Sequence, residues 1–78
     1  MIVLGYTVPE YIESECILHM HGGFFRAAHI AAVAQAFGAP LNREGGEIPG
    51  RIADRLIQRE RKAGNLVRVG SPLGWRWK

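Results

Sequence analysis

The whole chain contains one cysteine, Cys16. A single thiol cannot close an internal disulfide, which excludes a disulfide-stapled secreted scaffold. Apolar runs are short, and none approaches the roughly 20 residues of a membrane-spanning helix. The opening Met1-Ile2-Val3-Leu4-Gly5 carries neither a basic stretch nor a long apolar one, so no signal peptide is expected. Charged residues make up 22%, too few for a self-repelling disordered tail. At 78 residues there is length for one small domain, and 47% hydrophobic residues supply one modest core. Large multidomain enzymes drop out. A cytoplasmic module without a membrane partner is the expectation.

Lysine and arginine are missing from residues 1–23, which hold Glu10, Glu13 and Glu15. The cations gather at the other end. Residues 51–78 carry Arg51, Arg55, Arg59, Arg61, Lys62, Arg68, Arg76 and Lys78 against only Asp54 and Glu60, a local charge of +6. Such an acidic back and basic front suggest an anionic polymer as partner. Most of the cations are arginines, whose planar fork suits phosphate and guanine. An acidic protein would meet the same arginines.

Three helices can be read along the chain. The first is expected over about residues 9–20, with Pro9 in its first turn and a capping-box spacing from Thr7 to Glu10. Ile12, Cys16, Ile17 and Met20 form its apolar stripe, and Gly22-Gly23 stops it. Phe24-Phe25-Arg26 reads as a short strand. An alanine-rich helix follows over 27–37, with Ile30, Val33, Ala34 and Phe37 inward. Residues 39–48 read as a polar loop centred on Asn42-Arg43-Glu44-Gly45-Gly46. The third helix is expected over 49–63. Its apolar arc is Ile52, Ala53, Leu56 and Ile57; the opposite arc is Arg51, Arg55, Gln58, Arg59 and Lys62. Glu60 falls on the apolar side, free either to reach out at the helix end or to pair with Arg26.

A hairpin over about 66–77 closes the chain. Strict alternation places Val67, Val69, Trp75 and Trp77 on one face and Arg68, Arg76 and Lys78 on the other. That matching sets Val69 opposite Trp75, Arg68 opposite Arg76 and Gly70 opposite Gly74, around a Ser71-Pro72-Leu73 tip. The tryptophans then read as core, although indoles can also stack on bases.

The run Arg51-Ile52-Ala53-Asp54-Arg55-Leu56-Ile57, then Ala63-Gly64-Asn65-Leu66-Val67-Arg68, then Gly74-Trp75-Arg76-Trp77 resembles the recognition helix, turn and two wing strands of the winged helix-turn-helix superfamily. Phe25-Arg26-Ala27-Ala28-His29-Ile30-Ala31 is similar to the entry into that superfamily's second helix. The likeness covers about residues 8–78. It implies an α+β, mainly helical fold: three helices, a C-terminal β-hairpin wing and a short strand after the first helix. Two features depart from the pattern. Residues 38–48 replace a short turn, and Pro49-Gly50 leave few side chains for reading bases in the first turn of the third helix.

What the resemblance implies is binding of double-stranded DNA, without catalysis, metal or cofactor. In the implied pose Arg51, Asp54, Arg55 and Gln58 face base edges in the major groove. Arg59, Arg61, Lys62, Arg68, Arg76 and Lys78 meet phosphates. The expected role is a small transcriptional regulator or an accessory protein of a bacterium or its phage. A protein–protein adaptor of the same fold is the alternative. Ile2, Val3 and Leu4, or the outer side of the first helix, are candidate contacts for a homodimer.

Other chemistry has little to stand on. Cys16, His19, His21 and His29 are residue types that zinc uses, but they lack a second pair at reliable spacing. As a nucleophile and base they lack an orienting third group. No Gly-x-x-x-x-Gly-Lys phosphate loop is present.

Overall fold

A computed structural model describes residues 1–43, 46–70 and 74–78. The chain starts with a minimal hairpin that the residue pattern did not announce. Strand β1 (Ile2–Val3) pairs antiparallel with β2 (Tyr6–Thr7), Ile2 opposite Thr7 and Val3 opposite Tyr6. Leu4 and Gly5 turn it with φ of 50° and 79°. A two-residue turn with both central φ values positive matches the right-handed twist of its strands. Leucine in that region is disfavoured by roughly 1 kcal/mol. The packing of Leu4 against the core offsets the strain.

Helix α1 (Glu10–Met20) buries Ile12, Cys16 and Met20, one residue per turn. The expected Thr7 cap does not form. Thr7 is spent in β2, and Pro9 occupies the cap position in an extended conformation without a side-chain bond. Glu10 and Glu13 in the first turn complement the helix dipole instead.

Helix α2 (Ala27–Ala36) buries Ile30, Val33 and Ala34. Phe37, expected inside, is the C-cap and is exposed, because the helix stops one residue before it. Gly38 takes a positive φ, and the Ala39 N–H donates back to the Ala34 carbonyl at 3.0 Å. That is the closing bond of a glycine-terminated helix.

The segment read as a polar loop holds a second small hairpin. Strand β3 (Asn42–Arg43) pairs with β4 (Gly46–Glu47), Asn42 opposite Glu47 and Arg43 opposite Gly46. Glu44 and Gly45, at the centre of the expected loop, lie outside the described residues. Polar two-residue strands carry no apolar alternation, so periodicity could not reveal them.

Helix α3 (Ile48–Lys62) starts one residue before Pro49 and sinks Ile48, Pro49, Ile52, Ala53, Leu56 and Ile57. It packs chiefly on α2, and α1 packs on α2 in turn. Side chains with essentially no exposure form the centre: Ile12, Met20, Phe25, Ile30, Ile48, Ile52 and Leu56. Each such side chain stabilises by about 1.5–3 kcal/mol relative to exposure.

Strands β5 (Leu66–Val69) and β6 (Gly74–Trp77) form the expected C-terminal hairpin, with its Ser71-Pro72-Leu73 tip outside the described residues. Its register differs by one from the alternation argument. Leu66 faces Trp77, Val67 faces Arg76, Arg68 faces Trp75 and Val69 faces Gly74. Leu66, Arg68, Trp75 and Trp77 therefore share one face, and Val67, Val69, Gly74 and Arg76 the other. A one-residue slip flips a strand's whole side-chain set. Two contacts select this parity. Leu66 becomes buried, whereas Val67 and Val69 stay half-buried. Phe25, the short strand expected after the first helix, bonds β6 from its other side. The Phe25 N–H donates to the Trp75 carbonyl at 2.9 Å, and the Trp75 N–H donates to the Phe25 carbonyl at 2.8 Å. The result is an α+β, mainly helical domain with a C-terminal hairpin.

Candidate nucleic-acid interface

Helix α3 is strongly two-sided. Its apolar arc forms the floor of the domain, and Arg51, Asp54, Arg55, Gln58, Arg59, Arg61 and Lys62 all stand exposed. Asp54, Arg55, Gln58, Arg59 and Lys62 line one shallow depression along the outer side. The helix is 15 residues long, about 22 Å at 1.5 Å per residue.

The cations on this surface are not equivalent. Three ion pairs occur among the described residues, and two of them hold Arg59. Its Nη1 donates to Glu13 Oε1 and its Nε to Glu60 Oε2, both at 2.9 Å. Glu60 does not pair with Arg26. It turns along its own helix to Arg59, and the Asn65 amide donates to its other oxygen at 3.0 Å. Partial burial disfavours the Glu60 carboxylate, but the bonds from Asn65 and Arg59 and the charges of Arg59 and His21 outweigh it and hold its pKa below the usual carboxylate value. The bond to Glu60, helped by Glu13 against some desolvation, raises the Arg59 pKa further. Arg61 donates through Nε and Nη2 to Gln58 Oε1, at 3.1 and 2.8 Å. A residue expected to read bases and one expected to meet phosphate are thus bonded to each other.

Arg51, Arg55, Lys62, Arg68, Arg76 and Lys78 carry no ion pair among the described residues. On the hairpin, Arg68 and Arg76 point to opposite faces, which corrects the expectation of one cationic face. Arg68 stands opposite Trp75, not Arg76. The Arg68 guanidinium instead lies 5.6 Å over the Trp75 ring, within cation–π range. Lys78 ties down by its backbone, donating to the Asn65 carbonyl at 2.8 Å.

Arg59 also lines the groove between α3 and α1, together with Glu10, Glu13, Ser14, Ile17, Leu18 and His21. The Glu13–Arg59 bond marks the line where the acidic surface of α1 meets the basic surface of α3. Sequence reading missed Glu13, which stands 46 residues from its partner. No local spacing signals a contact of that range.

The cysteine and histidines separate. Cys16 is buried, with Sγ 3.8 Å from the Ile30 carbonyl, and burial pushes its thiol up to about 11. His21 stacks on Trp77 with centroids 3.8 Å apart, and His19 meets His29 edge-on at 5.8 Å. Among the described residues no three His, Cys, Asp or Glu side chains converge on a common point. Of the residues considered for self-association, Val3 is buried and Leu4 half-buried, leaving Ile2 with Tyr11 and Leu18 of α1 exposed. Among the described residues no helix is long and apolar enough to cross a membrane. The chain matches no family model, no curated protein and no solved structure.

Proposed function

We propose that this chain binds double-stranded DNA in the cytoplasm, as a small transcriptional regulator or a phage or prophage accessory protein. The carrying observation is the outer side of α3, where Arg51, Arg55 and Lys62 stand exposed without an ion-pair partner among the described residues. A helix fits the B-DNA major groove, which is about 12 Å wide. In this reading Arg51, Asp54 and Arg55 face base edges from the N-terminal half of α3. Lys62, Arg68, Arg76 and Lys78 neutralise phosphates. The hairpin straddles a phosphate strand rather than lying flat on it, because its two arginines project from opposite faces. Arg59 serves as a tether to α1, and Gln58 with Arg61 acts as one bonded unit. Within the observed order, three helices with Phe25 bonded to β6 between α1 and α2 and a hairpin after α3 support the winged-helix likeness on which the pose rests; the β1–β2 and β3–β4 hairpins are additions to that pattern.

The test is fluorescence anisotropy on random duplex DNA at about 50 and about 200 mM salt. Each neutralised phosphate contributes about −0.9 to the log–log salt slope. Four to six contacts predict a slope of about −4 to −5 and micromolar or tighter binding at the lower salt. Weak or salt-insensitive binding defeats the proposal and favours the protein-adaptor reading.

A further inference from the structure

We propose that Phe24, flanked by Arg26 and Arg76, is a stacking seat for an unpaired base of a nucleic-acid strand, separate from the α3 surface. The argument starts from alternation. Phe25 is held in a mutual backbone pair with Trp75 and its side chain is buried at 1% exposure. Its neighbour Phe24 must then project elsewhere, and it remains 48% exposed.

That ring is not loose. A β-carbon at position 74 would collide with Phe24 Cε2 and Cζ, so only glycine leaves room for the ring edge there. The edge is seated on the backbone of β6 while much of the ring meets water. The Arg26 guanidinium lies over it, 5.8 Å from the ring centroid, near the outer limit of cation–π attraction. Register adds a second cation. Gly74 and Arg76 share a face of β6, so Arg76 projects on the side where Phe24 lies. Neither arginine is in an ion pair among the described residues. His29 and Gly22 extend the same depression.

A seated aromatic ring with one guanidinium near it and a second arginine on the same face of β6 suits a flat π-system that carries phosphate on both sides. Every base has such a face, and stacking on an aromatic side chain is sequence-tolerant. Bases inside a duplex are already stacked, so the ligand is an unpaired nucleotide in a single strand, a frayed end or a gap. The seat shares no residue with the base-reading part of α3 and does not depend on it.

The experiment is anisotropy with labelled dT and rU oligonucleotides of about 12 nucleotides, run beside the duplex titration. Wild type, Phe24→Leu, the pair Arg26→Gln with Arg76→Gln, and the pair Arg51→Gln with Arg55→Gln are compared, with circular dichroism melts as the check on folding. Phe24→Leu should lower single-strand affinity at least about fivefold, the lower end of one lost base stack. Arg51→Gln with Arg55→Gln should leave it within about twofold. Stronger binding of dT or of rU identifies the sugar. Three results overturn the proposal: wild type binds neither oligonucleotide, Phe24→Leu binds as wild type does, or the α3 pair costs as much as Phe24→Leu. Should Phe24→Leu fail to fold, Arg26→Gln with Arg76→Gln decides in its place, with loss supporting the seat and unchanged binding overturning it. Loss of duplex binding with single-strand binding intact refutes the DNA-duplex reading alone.

Discussion

The two ends of the exposed side of α3 differ in how their charges are held. At the N-terminal end, Arg51 and Arg55 project without an ion pair among the described residues. At the C-terminal end, Arg59 is clamped by Glu13 and Glu60, and Arg61 is bonded to Gln58. Both ends look alike on a helical wheel. The difference arises because α1 passes beside the C-terminal end and brings Glu13 with it. A cation already bonded to two carboxylates loses those bonds if it is to meet a phosphate. A free one loses only water. In the proposed pose the N-terminal end is therefore the reader, and Arg59 at the C-terminal end is a tether to α1.

The largest effect tests what the two ends share. Leu56 is fully buried beneath the stripe. Leu56→Ala should destabilise the fold by about 2–5 kcal/mol, read from urea denaturation. Both ends should then fail together. A loss well under 1 kcal/mol would mean that α3 is not anchored through this residue.

Next comes the comparison itself. Replacing Arg51 and Arg55 by Gln should weaken duplex binding by at least about 30-fold, the lower end for losing two base contacts at about 1–3 kcal/mol each. The melting temperature should barely move. Arg59→Gln should change duplex affinity much less. Equal losses at the two ends would mean that the free and the clamped arginines serve DNA alike.

Arg59→Gln should act on stability instead. The side chain is 48% exposed, so solvent screening limits the loss to about 0.2–1 kcal/mol per pair. A chemical denaturation midpoint measured with and without about 1 M salt checks this, since salt should shrink the gap between wild type and variant.

The smallest effect is on pH. The folded state holds the Glu60 pKa below its ordinary 4.5. A depressed carboxylate adds stability that is fully present above the unfolded pKa and is lost as pH falls through the folded one. Stability should therefore decline as pH drops below about 4.5, and Glu60→Gln should flatten that decline. A variant with the same acid profile as wild type would remove Glu60 from the clamp.

Much of this fold was legible in the residues. Ile52, Ala53, Leu56 and Ile57 announced the buried side of α3, and α2 and α3 each end one residue short of the expected ends at 37 and 63. The exposed cations of α3 were legible for the same reason, since period alone assigns them to the opposite arc. The β1–β2 and β3–β4 hairpins were not legible, because two-residue strands are too short to show alternation. The β5–β6 register failed for a different reason. Val67 with Val69 and Leu66 with Arg68 offered two parities, and the valines looked the more apolar pair. Burying Leu66, pairing Trp75 with Phe25 and seating Phe24 against Gly74 selected the other.

Local order along the chain was enough to determine the helices, their buried sides and the gathering of cations in residues 51–78. These follow from side-chain period and backbone preference within a few turns. Only the tertiary structure decided which cations are free, which face of the hairpin turns inward and where Phe24 comes to rest. Each of those depends on residues far apart in the chain, such as Glu13 and Arg59 or Phe24 and Gly74, which meet only when packing brings their elements together.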